Sequence, residues 1–538
     1  MLMLCCRWLR LTGLLLATTV TLATLGPAAS AVSPQAFYNS AVNNHNLSQE
    51  PGEGWAWHAA FSMSHFTRAY EAWGDTAWLD AAADYHDFVL DHMRTGPDGY
   101  KGFIGPYIYD NSRWADVHIG DAILINPLLD FARIVNSDPA LHAQYGERAA
   151  GYVELAETHL IEKWDVRGTY HDDGRYGRYG SWDHYLEPND FSQWHHDENW
   201  ATNNSGLGLP FNKNNAMGTA ALRLWQVTGK EEHLDRAVKV FSTIKGRMQH
   251  HDGTAIWNYW EPTVPGDITG DFPDPSRHWI NVHPFRNYQA GEVHEIVEAY
   301  HAGIVFDEDD IQRIINTNLE VMWNGSFSNP DFTNSNADIV PGGLGDNVTA
   351  GTLWTALADF DATIRQLMSF GTNARAQIDQ AYFQNVTLAN DPSFDRHHVD
   401  DGEPVWLFDM PFEGSTRFMN MALTMPSMIE PGEESMTIGV RSHGSGNLQI
   451  AVFDEHGDEL VHEIFSGWLT GGWQSERYWD FDGFDSQGNP LAPGEYRIRW
   501  TLSGDGYREA PITIVPTPAT APLLLAGLAL LARRSRRA

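Results

Sequence analysis

Two stretches of the chain share one layout that decides the fold: AYEAWGDTAWLDAAADYHDF at 69–88 and ALRLWQVTGKEEHLDRAVKVF at 221–241. In each stretch, apolar residues recur at spacings of three and four, as they do on one face of an α-helix. A glycine follows, Gly74 or Gly229, as expected for the left-handed cap that ends a helix. A Leu-Asp pair five residues later lies in a second helix. This layout therefore predicts a repeated pair of antiparallel helices.

Weaker copies of the same layout are found at 116–164, 288–323 and 349–383. The chain would then hold about five to seven helix pairs between residues 50 and 390. Helix pairs in tandem form either an open solenoid or a closed (α/α) toroid, and solenoid repeats tend to be even in length.

Long and irregular connections interrupt this chain at 169–209 and 252–286, which favours the toroid. We therefore expect the first turns of the inner helices to line a common funnel. These helices would begin near Trp57, Asp116, Asn214 and Tyr288.

After about residue 390 the helical period disappears, and residues 435–514 alternate in short strands separated by turn residues. The stretch YWDFDGFDSQGNPLAPGEYRIRW, at 478–500, resembles the immunoglobulin-like domain of the flagellar hook-capping protein family. The resemblance implies a small β-sandwich, which we expect to be an accessory domain. The predicted organisation is a toroid at 32–390, a linker at 391–434 and a sandwich at 435–514.

The two ends of the chain have the composition of targeting segments. Residues 1–31 combine two arginines, an apolar run and a small-residue cleavage site, which predicts a secretory signal peptide. Residues 515–538 contain a proline motif, an apolar stretch and a basic tail, and they resemble the PEP-CTERM sorting signal of Gram-negative bacteria. That resemblance implies handling by an envelope sorting machinery, so we expect a secreted or cell-surface protein.

The composition narrows the class of partner. The chain of 538 residues carries 70 acidic and 35 basic residues, a net charge of −35, which argues against a nucleic-acid binder. Its 21 Trp, 19 Tyr and 25 Phe form a marked aromatic excess, and many of them lie in the long connections. Aromatic faces stack on sugar rings while amides, imidazoles and carboxylates bond sugar hydroxyls. We therefore expect a funnel that binds a polysaccharide.

The candidate substrate-binding residues lie near the expected starts of the inner helices or in the connections beside them. They are Trp57, His58, His118, His196, Asn214, Tyr259, Trp260 and Glu292. Two mechanisms fit such a set. Hydrolysis needs two carboxylates on opposite sides of the bond, with Asp116, Asp197, Glu198, Glu261 and Glu292 as candidates. Elimination needs a group that neutralises a uronic-acid carboxylate, together with a base and an acid such as His or Tyr.

The layout of residues 50–390 resembles the (α/α)-toroid polysaccharide lyases that act on alginate or glucuronan. The resemblance rests on the helix pairs, on the Asn214-Asn215 pair and on the segment that holds His283, Arg286 and Tyr288. It implies that Asn215 and Arg286 neutralise the substrate carboxylate, and that Tyr288 is the acid or both acid and base. His283 is the other candidate base. By this resemblance the chain would be a lyase of acidic polysaccharides.

One requirement of a polyanionic substrate is a local positive charge, since the chain as a whole is acidic. Five cations in the expected rim connections could supply it: Arg175, Arg178, Lys213, Arg277 and Arg286. No cofactor is expected, although three carboxylates could bind calcium, namely Asp267, Asp271 and Asp274. A glycosidase of the same fold and a non-catalytic protein that holds an extracellular polysaccharide remain the alternative hypotheses.

Overall fold

The computed structural model describes residues 32–43, 50–108, 110–197, 208–251, 253–257, 259, 286–336, 344–386, 419–423, 427–442, 445–470, 476–502 and 507–516. The predicted signal peptide, and the predicted sorting signal from residue 517 onward, lie outside these residues.

Helices occupy most of the described residues up to 386. They are α1 Pro34–Asn43, α2 Glu53–Trp73, α3 Ala77–Leu90, α4 His118–Ser137, α5 Pro139–Ala156, α6 Lys163–Val166, α7 Phe211–Thr228, α8 Glu231–Lys245, α9 Arg286–His301, α10 Glu308–Asn316, α11 Ala362–Met368 and α12 Ala374–Asn385. Two π-helical turns, Glu157–Glu162 and Thr317–Met322, and a 3-10 helix at Thr355–Asp359 complete the helical part.

Both predicted glycine caps are confirmed. Gly74 and Gly229 each have a φ of 69°, and each donates its N–H to the carbonyl four residues earlier at 2.7 Å. Because only glycine adopts this left-handed conformation without a steric penalty, each inner helix ends there and the chain can reverse into its outer partner.

The inner helices close into a ring. Helices α2, α4, α7 and α9 pack side by side in that order. Helix α12 then packs against α2, where Arg68 Nη1 lies 2.8 Å from Asp379 Oδ1. Since these two residues are 311 positions apart in the sequence, this contact joins the last helix to the first inner helix. The predicted fold class, an (α/α) toroid followed by a small β-sandwich, is confirmed.

The core of the toroid takes up much of the aromatic excess. Trp78, Trp164, Trp257 and Trp354 are among the largest fully buried side chains. Burying such side chains removes a large apolar area from water, which is the main force that holds the helices of the ring together. The aromatic residues therefore serve both the core and the connections above the funnel.

Short strands form hairpins in the connections, and longer strands form the C-terminal domain. The short strands are β1 Arg94–Thr95, β2 Lys101–Gly102, β3 Gly105–Tyr107, β4 Asp110–Ala115, β5 Tyr170–Asp172, β6 Gly177–Tyr179, β7 His184–Tyr185, β8 His195–His196, β9 Gln249–His251, β10 Thr254–Ile256, β11 Phe332–Thr333 and β12 Leu344–Asp346. Those of the C-terminal domain are β13 Met419–Leu423, β14 Met428–Ile429, β15 Met436–Ser442, β16 Gly446–Asp454, β17 Leu460–Leu469, β18 Glu476–Phe481, β19 Gly494–Leu502 and β20 Tyr507–Ile514.

The C-terminal strands form two sheets around one apolar core. One sheet has the order β13-β15-β18 and the other the order β14-β20-β19-β16-β17. Ile438, Ile450 and Trp500 are buried between them. The predicted linker at 391–434 is wrong in its C-terminal part, because β13 and β14 pair within the two sheets.

The toroid and the sandwich are joined by polar contacts at the hairpin that connects β5 to β6. Arg175 Nη2 donates to Glu495 Oε2 at 2.7 Å and to Thr513 Oγ1 at 3.0 Å. Asp173 Oδ2 accepts from the backbone N–H and the hydroxyl of Ser427. Among the described residues, no helix is long and apolar enough to cross a membrane.

Candidate functional site

Three aromatic rings meet where the inner helices begin. The ring centroids of Trp57 on α2 and Tyr288 on α9 lie 5.5 Å apart. Tyr288 in turn stacks on Tyr259, at 5.6 Å and an interplanar angle of 18°. The carbonyl of Tyr259 accepts the backbone N–H of Phe211, which fixes this ring beside the start of α7. The structure thus brings three of the predicted site residues together.

We call this region the funnel mouth, defined by the N-terminal ends of α2, α7 and α9. Its residues are Glu53, Trp57, Asn212, Lys213, Asn215, Tyr259, Tyr288 and Glu292.

A carboxylate that the sequence reasoning missed lies at the mouth. Glu53, the first residue of α2, is 4% exposed. Its Oε1 is 3.0 Å from Lys213 Nζ, which reaches it from the first turn of α7. Its Oε2 is buried and has no hydrogen-bond partner among the described residues. Glu53 resembles an ordinary acidic residue in a first helical turn, so nothing in the sequence distinguishes it from a residue that only stabilises the helix dipole.

Helix α7 presents a polar stripe that runs along the axis of the ring. Asn212, Asn215, Thr219 and Arg223 follow one another at spacings of three and four, so they share one helix face. All four are buried. The amides of both asparagines and the hydroxyl of Thr219 have no partner among the described residues. Buried polar groups are nearly always hydrogen-bonded in native proteins, so such a row calls for an explanation.

The Arg223–Glu298 pair fixes the register of α7 against α9. Arg223 Nε and Nη2 donate to the two oxygens of Glu298 at 2.6 and 2.7 Å. Each residue lies twelve positions beyond the first residue of its helix, so the two helices run in the same direction at matching heights. One helical turn towards the mouth corresponds to a rise of about 5.4 Å along the axis of either helix. Thr219, four residues before Arg223, then lies within one residue of the height of Glu295, three residues before Glu298.

Two carboxylates of α9 lie on the mouth side of Glu298. Glu292 is fully buried, and its Oε2 accepts a hydrogen bond from Trp257 Nε1 at 2.6 Å. Glu295 is half-buried, but its Oε2 atom is buried without a partner among the described residues. Burial, and then the charges of Glu292 and Glu298, raise the pKa of Glu295 well above its ordinary value. Helices α7 and α9 therefore each carry buried polar atoms that have no partner among the described residues.

Several predicted site residues are structural instead. Asn214 Oδ1 accepts from the backbone N–H of Tyr179 at 2.7 Å, and its Nδ2 donates to the carbonyl of Leu209 at 2.5 Å. His118 is 3% exposed, lies 2.9 Å from the Thr169 hydroxyl and stacks on Trp164 at 3.6 Å. Both residues hold connections against the ring. They do not line the mouth.

The pKa of His118 agrees with this role. Burial lowers it well below its ordinary value, and the positive charges of Lys163 and Lys213 lower it further. The imidazole is therefore neutral at physiological pH.

Asp116, a predicted catalytic carboxylate, belongs to a buried ion cluster. It is 2% exposed and lies 2.9 Å from Lys163 Nζ and 2.8 Å from Arg167 Nη1. Burial acts to raise its pKa, but the two cations outweigh burial and lower it to about 2. Asp121 shares Lys163, at 2.5 Å, and its pKa is raised, first by burial and then by Asp116. The cluster fixes the start of α4, and Asp116 Oδ1 is buried there without a hydrogen-bond partner among the described residues.

A second polar group lies in the connection before α7. Asp183, 3% exposed, is 2.9 Å from His184 Nδ1 and 2.5 Å from His196 Nε2. The two imidazole centroids are 5.1 Å apart, and Trp182 stacks on His184. His196 is exposed, so it remains accessible to a ligand.

Other predicted residues lie apart from these groups. His58 is exposed on α2 and its ring lies 6.4 Å from that of Phe61. Asp197 is bound to Arg113 Nη1 at 2.9 Å. The predictions for His283, Trp260, Glu198, Glu261, Asp267, Asp271, Asp274 and Arg277 fall outside the described residues, as does the side chain of Arg286.

The opposite end of the ring is closed by ion pairs. A cavity of about 180 Å³ lies there between the C-terminal halves of the inner helices. Each arginine in its lining is paired with a carboxylate: Arg68 with Asp379, Arg133 with Glu71 and Asp130, and Arg223 with Glu298. Within the described part of the chain, no group of three His, Cys, Asp or Glu residues is placed to hold a metal ion.

Among the comparisons with known proteins, only the one with solved structures found similar proteins. No protein-family model matches the chain. No curated protein matches it either.

Three similar solved structures are sugar-processing enzymes. An inactive variant of the α-1,6-mannanase of Salegentibacter sp. HEL1_6, in complex with α-1,6-mannotriose, is 13% identical, covers 66% of this chain and 98% of its own, and has a TM-score of 0.35. A family 76 glycoside hydrolase from a bovine Bacteroides thetaiotaomicron strain is 12% identical, with coverages of 66% and 77% and a TM-score of 0.39. Cellobiose 2-epimerase from Bacillus thermoamylovorans B4167 is 10% identical, with coverages of 64% and 85% and a TM-score of 0.34.

The prediction of a lyase is wrong. The similar structures named above are glycoside hydrolases and an epimerase. The geometry of the mouth agrees with this correction, because two of the cations expected to neutralise an acidic substrate are already paired. Lys213 is bound to Glu53, and Arg175 is bound to the sandwich.

Proposed function

We propose that the toroid is a glycoside hydrolase that cleaves a neutral polysaccharide in the funnel mouth. The observation that carries the proposal is the state of Glu53, whose Oε2 is buried without a partner among the described residues. It lies one turn from the aromatic stack of Trp57 and Tyr288. A carboxylate oxygen beside stacked rings is what a bound sugar requires for its hydroxyls and its glycosidic bond.

Two carboxylates lie on facing helices at this point. Glu53 is one turn before Trp57 on α2, and Glu292 is one turn beyond Tyr288 on α9. Since Trp57 and Tyr288 contact each other and both helices begin at the mouth, Glu53 lies about one turn above the ring contact and Glu292 about one turn below it. Hydrolysis of a glycosidic bond uses two such groups, one to protonate the leaving oxygen and one to activate water or attack the sugar. Asn212 and Asn215 would bond sugar hydroxyls with amides that have no partner among the described residues.

The charge of the mouth favours a neutral polymer. Glu53 and Glu292 supply negative charge, and Lys213 is held by Glu53. A uronic-acid chain would meet repulsion there, and a low local dielectric strengthens that repulsion. We further propose that the enzyme acts after export, at the cell envelope, as the predicted signal peptide and sorting signal indicate.

The test measures reducing ends released by the full chain from neutral polysaccharides that include α-1,6-mannan, with alginate as the acidic comparison. Glu53→Gln and Glu292→Gln should each lower the rate by about 10²–10⁴-fold, because each removes a proton-transfer or nucleophilic group while preserving size. Glu232→Gln is the matched control, since Glu232 is exposed on α8.

Two results would overturn the proposal. Wild-type activity in both mouth variants would show that other groups carry the reaction. Binding of a neutral polysaccharide without any release of reducing ends would favour the non-catalytic alternative.

A further inference from the structure

An exposed tryptophan stands on the outer face of the five-stranded sheet. Trp468 is on β17, the last strand in the order β14-β20-β19-β16-β17, and it is 64% exposed. It is the most exposed of the large aromatic side chains among the described residues. Covering such a ring with a ligand removes a large apolar area from water, which is favourable.

The residues nearest Trp468 on the neighbouring strands are polar, and one of them, Gln449, donates from its Nε2 to Glu463 Oε2 at 2.7 Å. Trp468 is directly opposite Asn447 on β16, and the next outward pair is Ser466 with Gln449. Gln449 is paired on its other side with Thr501 of β19. Outward residues of β16 alternate with buried Leu448 and Ile450, which confirms that Asn447 and Gln449 face away from the core.

This arrangement places one ring beside amides and hydroxyls. Directly opposed side chains on a sheet are about 4.5–5.5 Å apart and diagonal ones about 7–8 Å apart, which is the scale of a sugar unit. We call Trp468, Asn447, Gln449, Ser466 and Thr501 the strand platform.

The chemistry of the strand platform selects its occupant. A protein partner would need an apolar patch, but the exposed Leu460 and Val461 lie at the far end of β17, roughly 20–25 Å away along the strand. An acidic polymer is disfavoured by the net charge of −35. A neutral sugar fits, because its apolar face stacks on a ring while its hydroxyls bond to amides.

The strand platform is on the face that carries the toroid. Glu495 and Thr501 are six residues apart on β19, so both point outward. Glu495 is the residue that Arg175 of the toroid contacts. A polymer bound at Trp468 is therefore held on the same side of the sandwich as the toroid.

We propose that the strand platform binds a segment of neutral polysaccharide and so retains the polymer beside the toroid. The choice of a neutral chain rests on the proposed function. The site itself lies outside the funnel mouth and needs none of the mouth residues.

The experiment is affinity electrophoresis of the full chain in gels that contain α-mannan, pullulan or alginate. Wild-type protein should be retarded by a neutral polymer, and Trp468→Ala should weaken that binding by about tenfold or more. Trp468→Phe should retain most of it, because it keeps a ring. Tyr478→Ala is the matched control, since Tyr478 is an exposed aromatic residue of the other sheet and is 37% exposed.

Activity separates this proposal from the proposed function. Trp468→Ala should lower the rate on polymer and leave the rate on short oligosaccharides unchanged. Equal retardation of wild type and Trp468→Ala, an equal loss in Tyr478→Ala, or no retardation of wild type by either neutral polymer would overturn the strand platform. If the protein binds neutral polymer through Trp468 but releases no reducing ends, the platform stands and the proposed function fails.

Discussion

Lys213 Nζ lies 3.0 Å from Glu53 Oε1, and this ion pair joins the first turns of α2 and α7 across the funnel mouth. It holds Glu53 at a fixed position, while the second oxygen, Oε2, is buried without a partner among the described residues. A fixed carboxylate with one available oxygen is organised for a substrate before the substrate arrives. This arrangement lowers the stability of the fold, because it leaves a polar atom buried without a partner among the described residues, as is common in active sites.

Asn215 provides a direct measure of that cost. Both of its amide atoms are buried without partners among the described residues. Replacing Asn215 with Leu should raise the free energy of unfolding by about 1–3 kcal/mol, because a buried unsatisfied amide is removed, while hydrolysis of polysaccharide falls. Thermal or urea unfolding with parallel activity assays would check this.

Asn214→Leu is the control on the same helix. Asn214 bonds Tyr179 and Leu209, so its replacement should destabilise the protein. Equal effects of the two substitutions on stability would contradict the assignment of Asn215 to the substrate.

Lys163 should be essential for the stability of the toroid. Its ammonium is fully buried between Asp116 and Asp121. Lys163→Met keeps the length of the side chain but leaves two carboxylates with less compensating charge, and should cost about 3–5 kcal/mol. The comparison is Lys230→Met, whose partner Glu157 is on the surface, and which should leave the free energy of unfolding in urea nearly unchanged. A loss below 1 kcal/mol in Lys163→Met would be inconsistent with a closed cluster.

His86 should make the protein sensitive to acid. It is fully buried between Phe131 and Tyr152, and burial and then Arg148 lower its pKa from 6.5 to about 3. Between these values the unfolded chain binds a proton that the folded chain does not. Stability from this group is therefore complete above pH 6.5 and is lost as the pH falls towards 3.

The measurement is the free energy of unfolding against pH for wild type and for His86→Leu. The difference between the two curves should change by up to about 1.4 kcal/mol per pH unit between pH 6.5 and 3, in the direction that favours the variant in acid. Parallel curves over this range would show that His86 is not the group responsible.

The contact between the two domains should depend on Arg175. Its guanidinium bonds Glu495 and Thr513 on the sandwich. The double variant Arg175→Ala, Asp173→Ala also removes the bonds to Ser427, which directly precedes β14. It should increase the radius of gyration in solution scattering and speed proteolysis between the domains. Arg497→Ala is a control within the sandwich, because Arg497 pairs with Glu509 of the same domain. A scattering profile unchanged from wild type in the double variant would contradict a polar junction.

Sequence patterns that depend only on neighbouring residues predicted the secondary structure correctly. Gly74 and Gly229 indicated the helix ends because left-handed caps depend on a few adjacent residues. The alternation at 435–514 indicated strands for the same reason. The predicted linker extends too far towards the C-terminus, because β13 and β14 are short and pair with strands distant in sequence.

The sequence predicted only part of the candidate site. Trp57, Tyr259 and Tyr288 were expected at the mouth, and they meet there. Asp116 and His118 have the residue types of a catalytic site, but Lys163 and Trp164, some 45 residues further on, enclose them. Glu53 was missed because its partner Lys213 is 160 positions away.

The sequence by itself determined the helix pairs, the strand-rich C-terminal region and the aromatic, acidic composition that indicates a sugar ligand. These follow from spacing, caps and residue types within short windows. Only the tertiary structure decided which polar groups are satisfied. It placed Asn214 and His118 in internal bonds and Asp116 in an ion cluster, and it left atoms of Glu53, Asn212 and Asn215 without a partner among the described residues. The physical reason is that burial and hydrogen bonding depend on closure of the ring, which brings side chains of α2 into contact with side chains of α7, α9 and α12.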